Sequence, residues 1–108
     1  MAETDLRSSL EFLGLSEKES SIYLFICSNP KATAGEITKS LHIARSKTYA
    51  GLDKLVELGL IKKSESGVAR FWSSGCSALS KRYKDRVDEV GAAIDYIIRG
   101  MGGISSVH

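Results

Sequence analysis

The chain has only two cysteines among 108 residues. Cys27 and Cys76 stand far apart with no Cys-x-x-Cys context, so neither a metal knuckle nor a redox pair is spelled out. A site assembled from Cys27, Cys76, His42 and His108 has no ligand spacing, and no metal or cofactor is expected. Cys27 falls in the apolar run Ile22-Tyr23-Leu24-Phe25-Ile26, where a thiol buried as a small hydrophobe is expected. No apolar run approaches the ~18 residues of a membrane span. The start, Met-Ala-Glu-Thr-Asp-Leu-Arg, lacks the basic opening and apolar core of a signal peptide. These absences point to a cytoplasmic protein without a membrane partner. Also missing are a glycine-rich phosphate loop after a strand, paired carboxylates in an apolar setting, and a Ser/His/Asp or Cys/His arrangement with motif support. No catalytic residue is expected, and an enzyme is the poorest reading. There is no internal repeat and no low-complexity tract.

Strong net charge is absent too, at +2, but the distribution is uneven. Residues 1–28 carry two Lys/Arg against five Asp/Glu, and residues 29–72 carry eight against four. A basic middle is what contact with phosphates requires, although a mixed solvated surface would look the same on charge alone. At this length the chain is one folding unit able to bury roughly two-thirds of its unfolded surface without disulfides or metal.

Leu6, Leu10 and Leu13 recur at helical spacing and predict a first helix over 4–13, stopped by Gly14. Ser16-Glu17-Lys18-Glu19 is a capping box opening a second helix over about 17–28. Its core candidates are Ile22, Phe25 and Ile26, with Tyr23 at the stripe's edge, and Asn29-Pro30 ends it. Thr33-Ala34-Gly35-Glu36 is another capping box and opens a third helix with Ile37 and Leu41 inward. The Thr33 hydroxyl and N–H lie at a helix start, where a phosphate also binds well. After a turn at Leu41–Ile43, a fourth helix over 44–58 puts Leu52, Leu55 and Val56 inward, extended back to Tyr49 and Thr48. Ser46, Lys47, Ala50, Asp53, Lys54 and Glu57 then face outward, with Arg45 on the border. Gly51 costs about 1 kcal/mol of helix propensity relative to alanine, so a close approach there is plausible on structural grounds.

Two short strands over 60–64 and 68–73 flank Glu65-Ser66-Gly67, a hairpin in which Gly67 supplies positive φ. Lys62, Lys63 and Arg70 charge this ribbon, and Phe71 or Trp72 packs back. From Ser77 to about residue 100 one long helix carries Tyr83, Val87, Val90, Ile94, Ile97 and Met101 in alternating steps of four and three, a heptad seam. A seam this long suits a homodimer better than a helix folded back on its own domain. The units expected are 1–75, a winged helix-turn-helix; 76–101, a dimerisation helix; and 102–108, a Gly/Ser-rich flexible tail.

This order, mainly α with a small β-hairpin, is that of a winged helix. Leu13-Gly14-Leu15-Ser16, Ala32 to Ile37, Arg45-Ser46-Lys47-Thr48-Tyr49 and Leu52 to Leu60 together resemble the TrmB-type archaeal transcriptional regulators, over about residues 6–75. The chain departs from them at Ala44, where members usually carry proline. Larger members add a sugar-binding C-terminal domain, and no sugar-sensing function is expected here. The resemblance implies a dimeric, sequence-specific binder of double-stranded DNA, helix 44–58 in the major groove and hairpin 60–73 as wing. Arg45 and Lys47 are then candidates for guanine or phosphate, Ser46 and Ala50 for the same surface, and Thr33, Lys39, Lys54, Lys62, Lys63 and Arg70 for the backbone. Tyr49 is expected to pack inward. The alternative is a winged-helix module that docks another protein within a transcription or chromatin complex. No effector ligand is named by the sequence.

Overall fold

The computed structural model describes the backbone of residues 3–105 and the side chains of residues 6–100. Met101's side chain, His108 and the last residues of the expected tail lie outside these limits. Helix α1 (Glu3–Phe12) buries Leu10 and, just past its end, Leu13. Gly14, at φ +94°, turns the chain out of it. Helix α2 (Glu17–Ser28) begins with the expected capping box: the Glu19 N–H donates to Ser16 Oγ at 3.1 Å, and the Ser16 N–H donates to Glu19 Oε1 at 2.8 Å. Ile22, Ile26 and also Tyr23 are buried in the core, while Phe25 is half-buried. Cys27, expected to be buried, is exposed, because it lies near the end of α2 on the wall of an open apolar groove that Tyr23 also lines. Burial first, and then the neighbouring thiols of Cys27 and Cys76, push the Tyr23 phenol well above its ordinary range.

Strand β1 (Ala32–Thr33) leads directly into helix α3 (Ala34–Leu41). The Thr33 box forms as read, with Glu36 N–H donating to Thr33 Oγ1 at 3.2 Å and Thr33 N–H donating to Glu36 Oε1 at 2.9 Å. These caps make the fold acid-sensitive. Desolvation pushes the Glu19 carboxyl up, but the Ser16 N–H and Lys54 ammonium outweigh it and hold it below the ordinary value. The Thr33 N–H and hydroxyl lower Glu36 in the same way. A carboxylate with a depressed folded pKa stabilises above the unfolded value and loses that contribution as pH falls through the folded one. Denaturant midpoints measured downward from the ordinary carboxyl value of 4.5 should fall, and Glu19→Gln with Glu36→Gln should flatten that fall. An unchanged slope in the double variant would exclude the caps as its source.

Helix α4 (Arg45–Glu57) follows a turn at His42, which adopts left-handed φ 54° and ψ 41°. Its inward stripe is Thr48, Gly51, Leu52 and Leu55. Tyr49, expected inward, is 46% exposed, and Val56 is 37% exposed. The helix is rotated so that Gly51 is inward, where a Cβ would come within 2.8 Å of Ile22 Cδ1. Strands β2 (Ile61–Lys63) and β3 (Arg70–Ser73) form the hairpin, with Gly67 at φ +72° in its turn. The sheet has three strands rather than two, in the antiparallel order β1-β3-β2, with Ala32 opposite Phe71 and Lys63 opposite Phe71 on the other side. Left-handed Lys31 aims the short β1 at the sheet, and its N–H donates to the Phe71 carbonyl at 2.8 Å.

Helix α5 (Cys76–Ser105) runs past its expected end near 101 and gives the molecule its 62 Å length. It is joined to the head through the end of α1. Arg86 Nε donates to the Phe12 carbonyl, Arg82 Nε to the Leu13 carbonyl, and Lys54 Nζ from α4 to the Gly14 carbonyl, each at 2.8 Å. Among the described residues no helix is long and apolar enough to cross a membrane.

Candidate nucleic-acid interface

Helix α4 packs on α2, α3 and β2, which fixes its rotation and leaves its first turns open. With Thr48, Gly51, Leu52 and Leu55 inward and 3.6 residues per turn, Ser46, Tyr49, Ala50 and Asp53 form the outward ridge. Arg45 and Lys47 flank that ridge on opposite sides. All of these residues are exposed. Ala44 precedes the helix without a side-chain cap, and the first turn holds no acidic residue. By contrast, the first turn of α2 holds Glu17 and Glu19, and that of α3 holds Glu36.

Lys18, from the start of α2, meets Lys47. The close approach of the Lys47 ammonium, and then slight desolvation, hold the Lys18 amine below the usual lysine range, against the opposing pull of Glu17. Two cations from different helices therefore share one edge of the ridge. No sequence signal joins Lys18 to this surface, because 29 positions separate it from Lys47 and only the packing of α2 on α4 brings them together.

Three expected contacts change. Lys54 is turned away from the ridge: its ammonium pairs with Glu19 at 3.0 Å while donating to Gly14, so it ties α4 to α2 and α1. Thr33 commits both its N–H and its hydroxyl to Glu36, at 2.9 and 3.0 Å, leaving neither donor for a phosphate. Tyr49 stands on the ridge instead of in the core. Lys39 on α3 and Lys62 and Lys63 on β2 are exposed as expected. Arg70 is exposed but donates to the Lys31 carbonyl at 3.1 Å, bracing the turn before β1. On α5, Tyr83 packs against Phe12 with ring centroids 5.9 Å apart, Val90 is half-buried, and Val87, Ile94 and Ile97 are exposed.

The family model described as "Sugar-specific transcriptional regulator TrmB" matches residues 10–84, from the end of α1 into α5. The chain belongs to the TrmB family. Among solved structures, this TrmB-family chain is similar to a possible transcriptional regulator from Methanosarcina mazei Go1, with TM-score 0.69, 13% identity, and coverage of 86% of this chain and 85% of that one. It is also similar to TrmBL2, described as an archaeal chromatin protein with a novel mode of DNA binding, with TM-score 0.73, 15% identity and coverage of 99% of this chain. The match takes in 42% of the TrmBL2 chain. A multiple antibiotic-resistance repressor from Listeria monocytogenes 4b F2365 is similar with TM-score 0.59, 20% identity, and coverage of 94% and 80% of the two chains. At these identities the likeness is one of fold, the winged helix with a long C-terminal helix. No curated protein sequence matches significantly. The family and fold of the chain are those of winged-helix transcriptional regulators.

Proposed function

We propose that the chain is a sequence-specific regulator that binds double-stranded DNA as a homodimer, with α4 in the major groove and the β2–β3 hairpin as a wing on the backbone. One observation carries this reading. Helix starts carry the positive end of the helix dipole, so folding alone favours carboxylates there. Helices α2 and α3 follow that rule, while α4 opens with Arg45 and Lys47, has no acid in its first turn, and has Lys18 against its side. Cations at that place work against the isolated fold and are offset when a polyanion approaches. The exposed ridge then meets base edges. Ser46 can serve either partner of a hydrogen bond, Ala50 offers a methyl surface to thymine, and Arg45 has the reach of a bidentate guanine contact. Lys18, Lys47, Lys62 and Lys63, with Lys39 and Arg70 beside them, supply the phosphate contacts that set affinity and salt dependence. The likeness to TrmBL2, an archaeal chromatin protein that binds DNA, supports the same direction. A cytoplasmic location and the absence of a catalytic step belong to this reading.

A second reading is favoured by Asp53 and Glu57, which are exposed in the later turns of α4. They would suit a module that docks a basic protein surface. Selection of bound fragments from random duplex DNA separates the two. The proposal expects an enriched pseudo-palindrome whose half-sites lie about 10 base pairs apart, or a multiple of that. No enrichment at low salt would overturn DNA binding and leave the docking module.

A further inference from the structure

We infer that a second copy of this chain lies antiparallel along α5, and that the end of its helix, beyond Ile97, runs into the apolar groove between α1, α2 and the start of α5. This rests on the homodimer in the proposed function and fixes its geometry, which the seam alone leaves open.

The groove has a volume of about 760 Å³, and its apolar wall includes Leu6, Leu10, Phe12, Tyr23, Leu79 and Tyr83. Leu6, Phe12 and Tyr83 are all substantially exposed in one copy. Helix α5 contributes Leu79, Ser80, Tyr83 and Lys84 to it. Steps of three and four from Ser80 lead through Tyr83 to Val87, Val90, Ile94 and Ile97, so groove and seam share one face of the helix. The groove is the seam's continuation onto the head. Whatever helix lies on the seam runs into it.

The far half of α5 needs a cover of its own. Every described side chain from Gly91 onward is exposed, with Ile94 at 50%, Ile97 at 53% and Ile98 at 61%. The described part of this arm, residues 91–100, is exposed throughout, and an isolated helix of that length is marginal in water. One copy therefore has an apolar groove at the near end of the seam and an uncovered apolar helix at the far end. A two-fold axis across the middle of α5 satisfies both at once, twice over.

Direction follows from chemistry. In a parallel pair each residue stands level with its own copy, so the groove would face the partner's first turns, bringing Ser80 to Ser80 and Lys84 to Lys84. The isoleucines would pair with themselves far from it. In the antiparallel pair Val87 stands level with Ile97, Val90 with Ile94, and Tyr83 with Met101. The isoleucines then cover the partner's Val87 and Val90, and the groove, walled on α5 by Leu79, Ser80, Tyr83 and Lys84, receives the last turns of the partner helix rather than the partner's polar Ser80 and Lys84. The positions flanking the axis are Gly91 and Ala93, and side chains this small let the two helices cross closely there.

Cysteine cross-linking tests the direction. In a Cys27→Ser, Cys76→Ser background, Val87→Cys together with Ile97→Cys should yield about tenfold more covalent dimer on mild oxidation than either cysteine alone, since disulfides form only between closely apposed Cβ atoms. Single variants that cross-link as well as the double would mean a parallel pair and overturn the inference. So would a monomeric wild type in sedimentation velocity. The double substitution Ile94→Asp with Ile97→Asp alters only exposed side chains. It should keep the helical circular dichroism, convert the dimer to monomer, and raise the emission of an apolar dye such as anilinonaphthalene sulfonate. A wild-type dimer that already binds the dye strongly has an open groove, and the occupant would then be a small apolar ligand or another protein. Cross-linking is read without DNA, so the two claims fail separately. A parallel dimer that still selects a palindrome sinks only this inference, and an antiparallel dimer that selects nothing sinks only DNA binding.

Discussion

Replacing Arg45 with alanine is expected to lower affinity for the selected DNA site by about a thousandfold while leaving binding to unrelated DNA far less affected. A bidentate arginine–guanine pair is worth about 1–3 kcal/mol of discrimination, and a homodimer makes the contact in both half-sites, so roughly 4 kcal/mol is at stake. Arg45 is exposed and makes no contact within the core, so the fold should remain. Lys18→Ala and Lys47→Ala should behave differently. They share one edge of the α4 ridge, and a phosphate contact carries no sequence information. Each should weaken all DNA nearly uniformly and make the plot of log affinity against log salt shallower by about 0.9 per phosphate released, close to 2 for a dimer. Fluorescence anisotropy at several salt concentrations reads both effects. A loss of specificity from Lys18→Ala, or an unchanged affinity from Arg45→Ala, would invert the roles assigned to the two sides of the helix.

Gly51→Val is expected to destabilise the protein by about 3 kcal/mol, because inserting extra methyl groups into a filled core costs about that much. Ile22 is fully buried, and its Cδ1 lies 2.8 Å from where the new Cβ would be. Any new position for that side-chain end must be found inside the core, because Ile22 is fully buried. For a chain near 100 residues this is a fall in melting temperature of about 15 °C. The helix-propensity gain from removing glycine is at most about 1 kcal/mol and does not offset it. The second substitution Ile22→Ala removes three carbons where valine adds three. Alone it should cost about 2–5 kcal/mol as a cavity. The double variant should be more stable than the two losses added, by more than about 1 kcal/mol, as contacting sites couple. Simple additivity would mean that α4 can move away from α2 without cost. DNA affinity of the double variant should recover along with stability.

These two results touch what the sequence shows and what it hides. The caps at Ser16 and Thr33 were legible because a capping box is local, with donor and acceptor three residues apart. The hairpin turn at Gly67 and the existence of one long helix α5 were legible from equally local patterns. Helix α4 was placed correctly along the chain but rotated wrongly. Counting hydrophobic residues selects Tyr49 and Val56 as inward; the close approach read at Gly51 is there, and its missing side chain is what lets α2 in. Strand β1 escaped notice because two residues cannot show alternation, and its pairing is decided by Phe71, nearly forty positions away. Within the candidate interface, Arg45, Ser46, Lys47 and Ala50 were read from the chain. Lys18 was not, since nothing local marks it. Thr33 was assigned to DNA by its place at a helix start and Lys54 by its charge, whereas each meets an internal glutamate first.

The three carbonyls at the end of α1 decide where acid loosens the molecule. Phe12, Leu13 and Gly14 are held by Arg86, Arg82 and Lys54. A carbonyl does not titrate, and arginine stays charged at any pH a protein meets. Protonating Glu89 removes a brace from both arginines but leaves their bonds to the backbone in place. The caps of α2 and α3 depend on carboxylates and weaken as those fill with protons. Acid therefore weakens the helix starts inside the head and the hold of Glu19 on Lys54, while the two arginine bonds to the Phe12 and Leu13 carbonyls contain nothing that acid protonates.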